Sequence, residues 1–97
     1  MHHQYIWLER SIVNWCVYII RCSDDTLYTG ITNNLERRLT QHATQRGAKY
    51  FRGRQPEEVV YVENGHDRSS ASRREAEIKK LERAEKMLLI NSVQVCS

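Results

Sequence analysis

Residues 15–32 read WCVYIIRC, then SDDT, then LYTGIT. The first eight are apolar, β-branched and aromatic, the composition of a strand. SDDT is turn chemistry, because short polar side chains bond their own backbone. LYTGIT is a second, shorter strand, and a hairpin is the simplest link between the two. Side chains alternate between faces along a strand, so Tyr18 shares a face with Cys16 and Ile20, and Tyr28 with Gly30 and Thr32. An odd-length turn, or a bulge, brings both sets onto one face. Gly30 then lies opposite Tyr18 and leaves open space above the ring, room for a substrate phosphate. An even-length turn sends the tyrosines to opposite faces. Tyrosine is common in strands, so core packing accounts for either ring equally well.

Outward from the hairpin, Asn33 or Asn34 can cap a helix by accepting a backbone N–H bond. Leu35, Leu39 and Ala43 recur at four-residue steps, one stripe of that helix. Gly47 is its stop. Residues 48–56, AKYFRGRQP, read as a basic loop or a single helical turn. EEVVYVEN (57–64) is a third strand, ended by Gly65 and Asp67. Residues 69–90 read as helical, with Ile78, Leu81, Ala84 and Leu88 as the buried stripe. Ser72 and Glu75 have capping-box spacing, while Asp67 and Ser69 are earlier caps. Twenty-odd residues is long for a helix in so small a domain, so a break is expected near Leu81–Arg83. The sum is an α/β (α+β) domain: a three-stranded antiparallel sheet flanked by helices. Residues 1–14 read as an N-terminal extension, 15–91 as the domain and 92–97 as a tail.

The chain has 97 residues, enough for one modest core. No apolar run approaches the roughly 20 residues that span a bilayer. The N-terminus lacks the apolar core of a signal peptide. Cys16, Cys22 and Cys96 make neither an even disulfide set nor a CxxC pair, which fits a reducing compartment, the cytoplasm. No zinc spacing links the four histidines and three cysteines. The net charge of +3 is unevenly spread. Residues 34–54 carry six Arg/Lys against one Glu, and residues 68–86 carry seven against four Glu, around a stretch with four acids. Two basic segments point to a polyanion partner or to an arginine-rich solvated surface.

Arg38 and His42 are four residues apart and share a helix face. That face adjoins the leucine stripe, so both lean toward the sheet. Glu75 stands near the start of the last long helix with Lys79 one turn on. Capping, or an exposed ion pair with Lys79, is its ordinary role. His66, beside a turn, reads as a solvated loop histidine.

Together these residues resemble the GIY-YIG nuclease domain. Val17-Tyr18 stands where that family has the Ile-Tyr of its first motif, and Tyr28-Thr29-Gly30 where it has Tyr-Ile-Gly. Leu35-Glu36-Arg37-Arg38-Leu39 resembles its L-x-x-R-L helix, which places the catalytic arginine at Arg38, and His42 matches the histidine one turn later. Gly47-Ala48-Lys49-Tyr50 with the basic run through Arg54, and Arg74-Glu75-Ala76-Glu77-Ile78-Lys79-Lys80, are similar to segments of the small standalone bacterial members. Cys16 and Thr29 depart from the name motifs, but neither position supplies a reacting group. Asn91 is not matched to the asparagine that many members carry late in the domain.

The resemblance implies metal-dependent hydrolysis of a DNA phosphodiester, with RNA left open as the polymer, in repair or recombination. Mg²⁺ or Mn²⁺ is the implied cofactor and Glu75 its single protein ligand. Arg38 clamps the phosphate. Tyr18 takes a proton from the attacking water, its pKa expected to be lowered by the metal or Arg38. Tyr28 and His42 orient water and phosphate, or share the proton traffic. Gly30, Lys49, Arg52 and Arg54 contact nucleic acid. No obligate protein partner and no membrane are expected. A binding module of the same fold with little cleavage, and a protein-interaction domain, are the rival readings.

Overall fold

The structure is a computed structural model and describes residues 14–43 and 55–96. Three strands, β1 (Trp15–Cys22), β2 (Leu27–Thr32) and β3 (Pro56–His66), form one antiparallel sheet in the order β2-β1-β3. The central position of β1 explains its composition. Residues 16–20 are buried on both faces at once, so the run has no polar alternation.

The β1–β2 turn is odd. Cys22 N–H donates to Thr26 O at 2.9 Å and Asp25 N–H to Cys22 O at 2.8 Å, which leaves three residues between the closing pair. Asp25 takes the left-handed φ of 66° that such a turn requires of its last residue, and aspartate tolerates it. Asp24 accepts from Thr26 N–H at 3.2 Å and from Thr26 Oγ1 at 2.6 Å. The resulting register sets Tyr18 opposite Gly30 and Ile20 opposite Tyr28.

Three helices complete the described fold. On one face lies α1 (Leu35–Ala43), capped by Asn34, whose Oδ1 accepts from Arg37 N–H at 3.0 Å. Leu35 and Leu39 pack there against Tyr18 and Ile20. The other face carries α2 (Arg68–Lys80) and α3 (Arg83–Cys96). Its core is Val17, Ile19, Tyr61, Ala71, Ile78 and Ile90. Full burial of one such isoleucine contributes about 1.5–3 kcal/mol. The capping box of α2 belongs to Asp67 and Ser70, each side chain bonded to the other's backbone N–H, and not to Ser72.

The expected break falls at Leu81–Glu82, where Leu81 turns extended (φ −70°, ψ 145°). It also overturns the expected stripe. Two non-helical residues reset the helical phase, so Ala84 is exposed, Leu88 is 71% exposed and Ile90 is buried instead. Residues 92–96 continue α3. β3 runs past Gly65 (φ 84°) to His66, which pairs with Trp15. His66 is therefore no solvated loop residue. Its Nε2 lies 2.6 Å from Glu63 Oε2 and its Nδ1 2.9 Å from Ser70 Oγ. Arg74 Nε donates to the same Glu63 carboxylate at 3.1 Å, tying α2 to β3. Arg83 donates to Asp25 O at 2.7 Å and to Asp25 Oδ2 at 3.1 Å, tying α3 to the hairpin turn. No helix among the described residues is long and apolar enough to cross a membrane.

Candidate active site

The hairpin register and the cap of α1 bring four side chains together on the α1 face. Tyr18 Oη lies 3.0 Å from His42 Nε2. The Tyr28 ring meets His42 edge-on at 5.4 Å between centroids, and both rings stand 6.2 Å from that of Tyr18. Arg38 comes from the same helix one turn before His42.

Gly30 does not leave an open space. A Cβ there would stand 2.6 Å from Tyr18 Oη, 2.7 Å from Tyr18 Cζ and 3.0 Å from Tyr28 Cε2. The space above Gly30 is filled by the Tyr18 phenol, which is 0% exposed. Its part here is to seat that ring. The expected phosphate space over Gly30 is thus overturned by simple occupancy.

The electrostatics follow from burial. Burial pushes the Tyr18 hydroxyl up to about 12, against the pull of hydrogen bonding to Arg38. The lowered pKa expected for this tyrosine is not found in the protein alone, because desolvation outweighs one cation. Burial, and then the charge of Arg38, hold His42 down at about 4. Near neutral pH Tyr18 keeps its proton and His42 is a neutral imidazole. Hydrogen bonding to Tyr18 raises the pKa of Arg38, which keeps the guanidinium charged.

Arg38 also faces outward. Its Nη1 donates to Gln41 Oε1 at 3.2 Å. Its Nε is buried and has no hydrogen-bond partner among the described residues. Arg38 helps line a cleft of about 200 Å³ with Arg37, Gln41, Asn33 and Trp15. Two arginines at one cleft are an anion-binding arrangement. Arg37, Gln41 and Trp15 join Arg38 at this cleft without standing at a defined position of any sequence motif of the site. The signal for Arg37 was its adjacency to Arg38. For Trp15 there was none, since it reads as strand.

Glu75 comes from a different helix. It rides on α2, whose buried residues Ala71 and Ile78 pack on the opposite face of the sheet. Its carboxylate pairs with Lys79 at 3.4 Å and its side chain is 24% exposed. A helix advances about 100° per residue. Arg74 leaves toward Glu63 on β3, so Glu75 leaves on the other flank, the one nearer β2. Among the described residues no three His, Cys, Asp or Glu gather into a metal cage. One partly exposed carboxylate suits an ion held mostly by water and phosphate oxygens, as Mg²⁺ is, and does not suit zinc. Lys49, Arg52 and Arg54 lie outside the described residues.

A three-stranded antiparallel sheet with paired tyrosines on one face, and an arginine and a histidine supplied by the next helix, defines a mixed α/β nuclease-type domain. The family model described as GIY-YIG catalytic domain matches residues 14–88, and the chain belongs to that nuclease family. It is similar to the UPF0213 protein of Oceanobacillus iheyensis, 57% identical over 74 residues, covering 76% of this chain and 86% of that one. The UPF0213 protein of Natronomonas pharaonis is 51% identical over 74 residues, 76% of this chain and 87% of that one. Two solution NMR structures resemble it. A protein from E. faecalis has a TM-score of 0.58 at 36% identity, covering 82% and 85% of the two chains. The UPF0213 protein of Bacillus halodurans has a TM-score of 0.52 at 40% identity, covering 79% and 82%. The match covers most of each of these relatives, from 82% to 87% of their length. GIY-YIG nucleases generally use divalent metals.

Proposed function

We propose that this chain is a divalent-metal-dependent endonuclease that hydrolyses DNA phosphodiester bonds, acting in the cytoplasm in repair or recombination. The observation that carries the reading is the convergence of Tyr18, Tyr28, His42 and Arg38, with Arg38 open to a cationic cleft. Phosphodiester hydrolysis gathers negative charge on the phosphoryl oxygens, and fixed cations stabilise it. Arg38 binds the scissile phosphate through its guanidinium. Tyr18 takes a proton from the attacking water as its own proton moves to His42 Nε2. A phosphate on Arg38 offsets that residue's charge, one of the two causes that hold His42 neutral, and so favours the transfer. Tyr28 keeps the imidazole in place. Glu75 is the carboxylate for Mg²⁺ or Mn²⁺, which when bound supplies positive charge to the phosphoryl oxygens.

One observation favours a second reading. Tyr18 is fully enclosed, so water reaches its hydroxyl only if the cluster opens. On that reading the chain is a nucleic-acid-binding module with little cleavage. The deciding experiment incubates purified protein with Mg²⁺ or Mn²⁺ on labelled duplex, single-stranded and branched DNA and on RNA. Cleavage of a DNA, abolished by EDTA and in Glu75→Ala, is expected. Silence on the whole panel, with binding retained, leaves the binding module.

A further inference from the structure

Trp15 opens the central strand, yet it is only partly buried while residues 16–20 behind it are enclosed. Part of the indole packs against the Val17–Ala71 core. Another part lines the cleft that holds Arg37 and Arg38. The Arg68 guanidinium stands over the ring, 5.8 Å from its centroid. The cleft is therefore mixed in its lining: Arg37, Arg38, Asn33, Gln41 and Thr32 are polar, and Trp15 and Ile31 are apolar. At about 200 Å³ it is smaller than the roughly 300–1,000 Å³ of sites for drug-sized ligands. It has room for one flat ring beside one phosphate, and not for a stacked base pair.

From this mixed lining we infer that the cleft is a seat for a single nucleotide. Its base lies against Trp15 and its phosphate lies on Arg37 and Arg38. The inference rests on the nuclease reading and deepens it, since it makes Trp15 the residue that recognises the nucleotide at the scissile phosphate. Aromatic stacking is open to every base, because each has a π-face, so the seat favours a base over none rather than one base over another. The bland account makes Trp15 a core side chain whose edge happens to show.

Titration calorimetry with the intact, metal-free protein separates the two. Deoxyadenosine 5′-monophosphate and deoxyribose 5-phosphate carry the same phosphate and sugar and differ in the base. The nucleotide is expected to bind about ten-fold tighter or more, the range of one stacked base. Trp15→Leu keeps an apolar side chain for the core and has no π-face. It is expected to bring the nucleotide down to the affinity of the sugar phosphate and leave the sugar phosphate unchanged. Trp15→Phe is expected to restore part of the preference. Equal affinities in the wild type overturn the inference, as does a preference that survives in a folded Trp15→Leu protein. A wild type that cuts DNA but shows no preference sinks this seat and leaves the nuclease standing. A Trp15-dependent preference in a protein that cuts nothing does the reverse.

Discussion

With its hydroxyl 3.0 Å from His42 Nε2 and no exposed surface, Tyr18 is held as a neutral phenol. Tyr18→Phe keeps the ring that fills the space over Gly30 and removes only the oxygen. We predict that it folds as the wild type does and loses about 10²–10⁴-fold in cleavage rate, the usual worth of a general base. A rate within two-fold of wild type, in the DNA assay above, returns the phenol to a packing role. His42 gives a second prediction, about stability. Its folded pKa, about 4, lies below its ordinary value of 6.5. Between those values the unfolded chain binds a proton that the folded chain does not, so stability rises with pH there and falls as pH drops. The loss between pH 7 and pH 4 is on the order of 3 kcal/mol. Urea midpoints at pH 7 and pH 4, in wild type and His42→Gln, check it: the variant is expected to show the shallower decline.

At the scale of elements, the site depends on where α1 begins. Asn34 bonds Arg37 N–H, and its own N–H is held by Thr32 Oγ1 at 3.0 Å, so the last residue of β2 sets the first turn of the helix. Asn34→Ala is predicted to cost about 1 kcal/mol, typical for a lost N-cap, and to lower cleavage by loosening Arg38. Thermal melts and the nuclease assay read the two effects separately. The strands and the α1 stripe were legible because burial on one or two faces leaves a periodic trace. Both sequence alternatives for the hairpin were open because a four-residue polar stretch does not say which pairs close it. Asp25 at positive φ decided that. Leu88 was misread since helical periodicity cannot carry across a break. Asp67 is one of several caps the sequence allows, beside Ser69 and Ser72, and its box partner Ser70 shows only once the backbone chooses.

For the molecule as a whole, the basic segments are the feature that reaches beyond the site. Neutralising Lys49, Arg52 and Arg54 together is predicted to weaken DNA binding about equally across sequences. It should also flatten the salt dependence, each phosphate contact adding roughly 0.9 to the slope. Binding isotherms at several salt concentrations measure this, and an unchanged slope moves the DNA track elsewhere. Tyr18, Tyr28, Arg38 and His42 could be named from motif spacing because three short consecutive elements, β1, β2 and α1, hold them all. Glu75 could be named but not placed. It lies on the layer behind the sheet, and which layer a helix joins is a question of topology that no local pattern answers.

The three-residue turn has a consequence at the level of the gene. Adding or removing one codon within residues 23–25 preserves the reading frame and every reacting side chain. If the hairpin then keeps its three-residue loop, the register slips by one and inside and outside are exchanged along β2. Tyr28 would be delivered to the layer of Ile78, and the glycine beneath Tyr18 would give way to a neighbour with a side chain. An allele of that kind would look intact to any inspection of motifs and yet encode no assembled site.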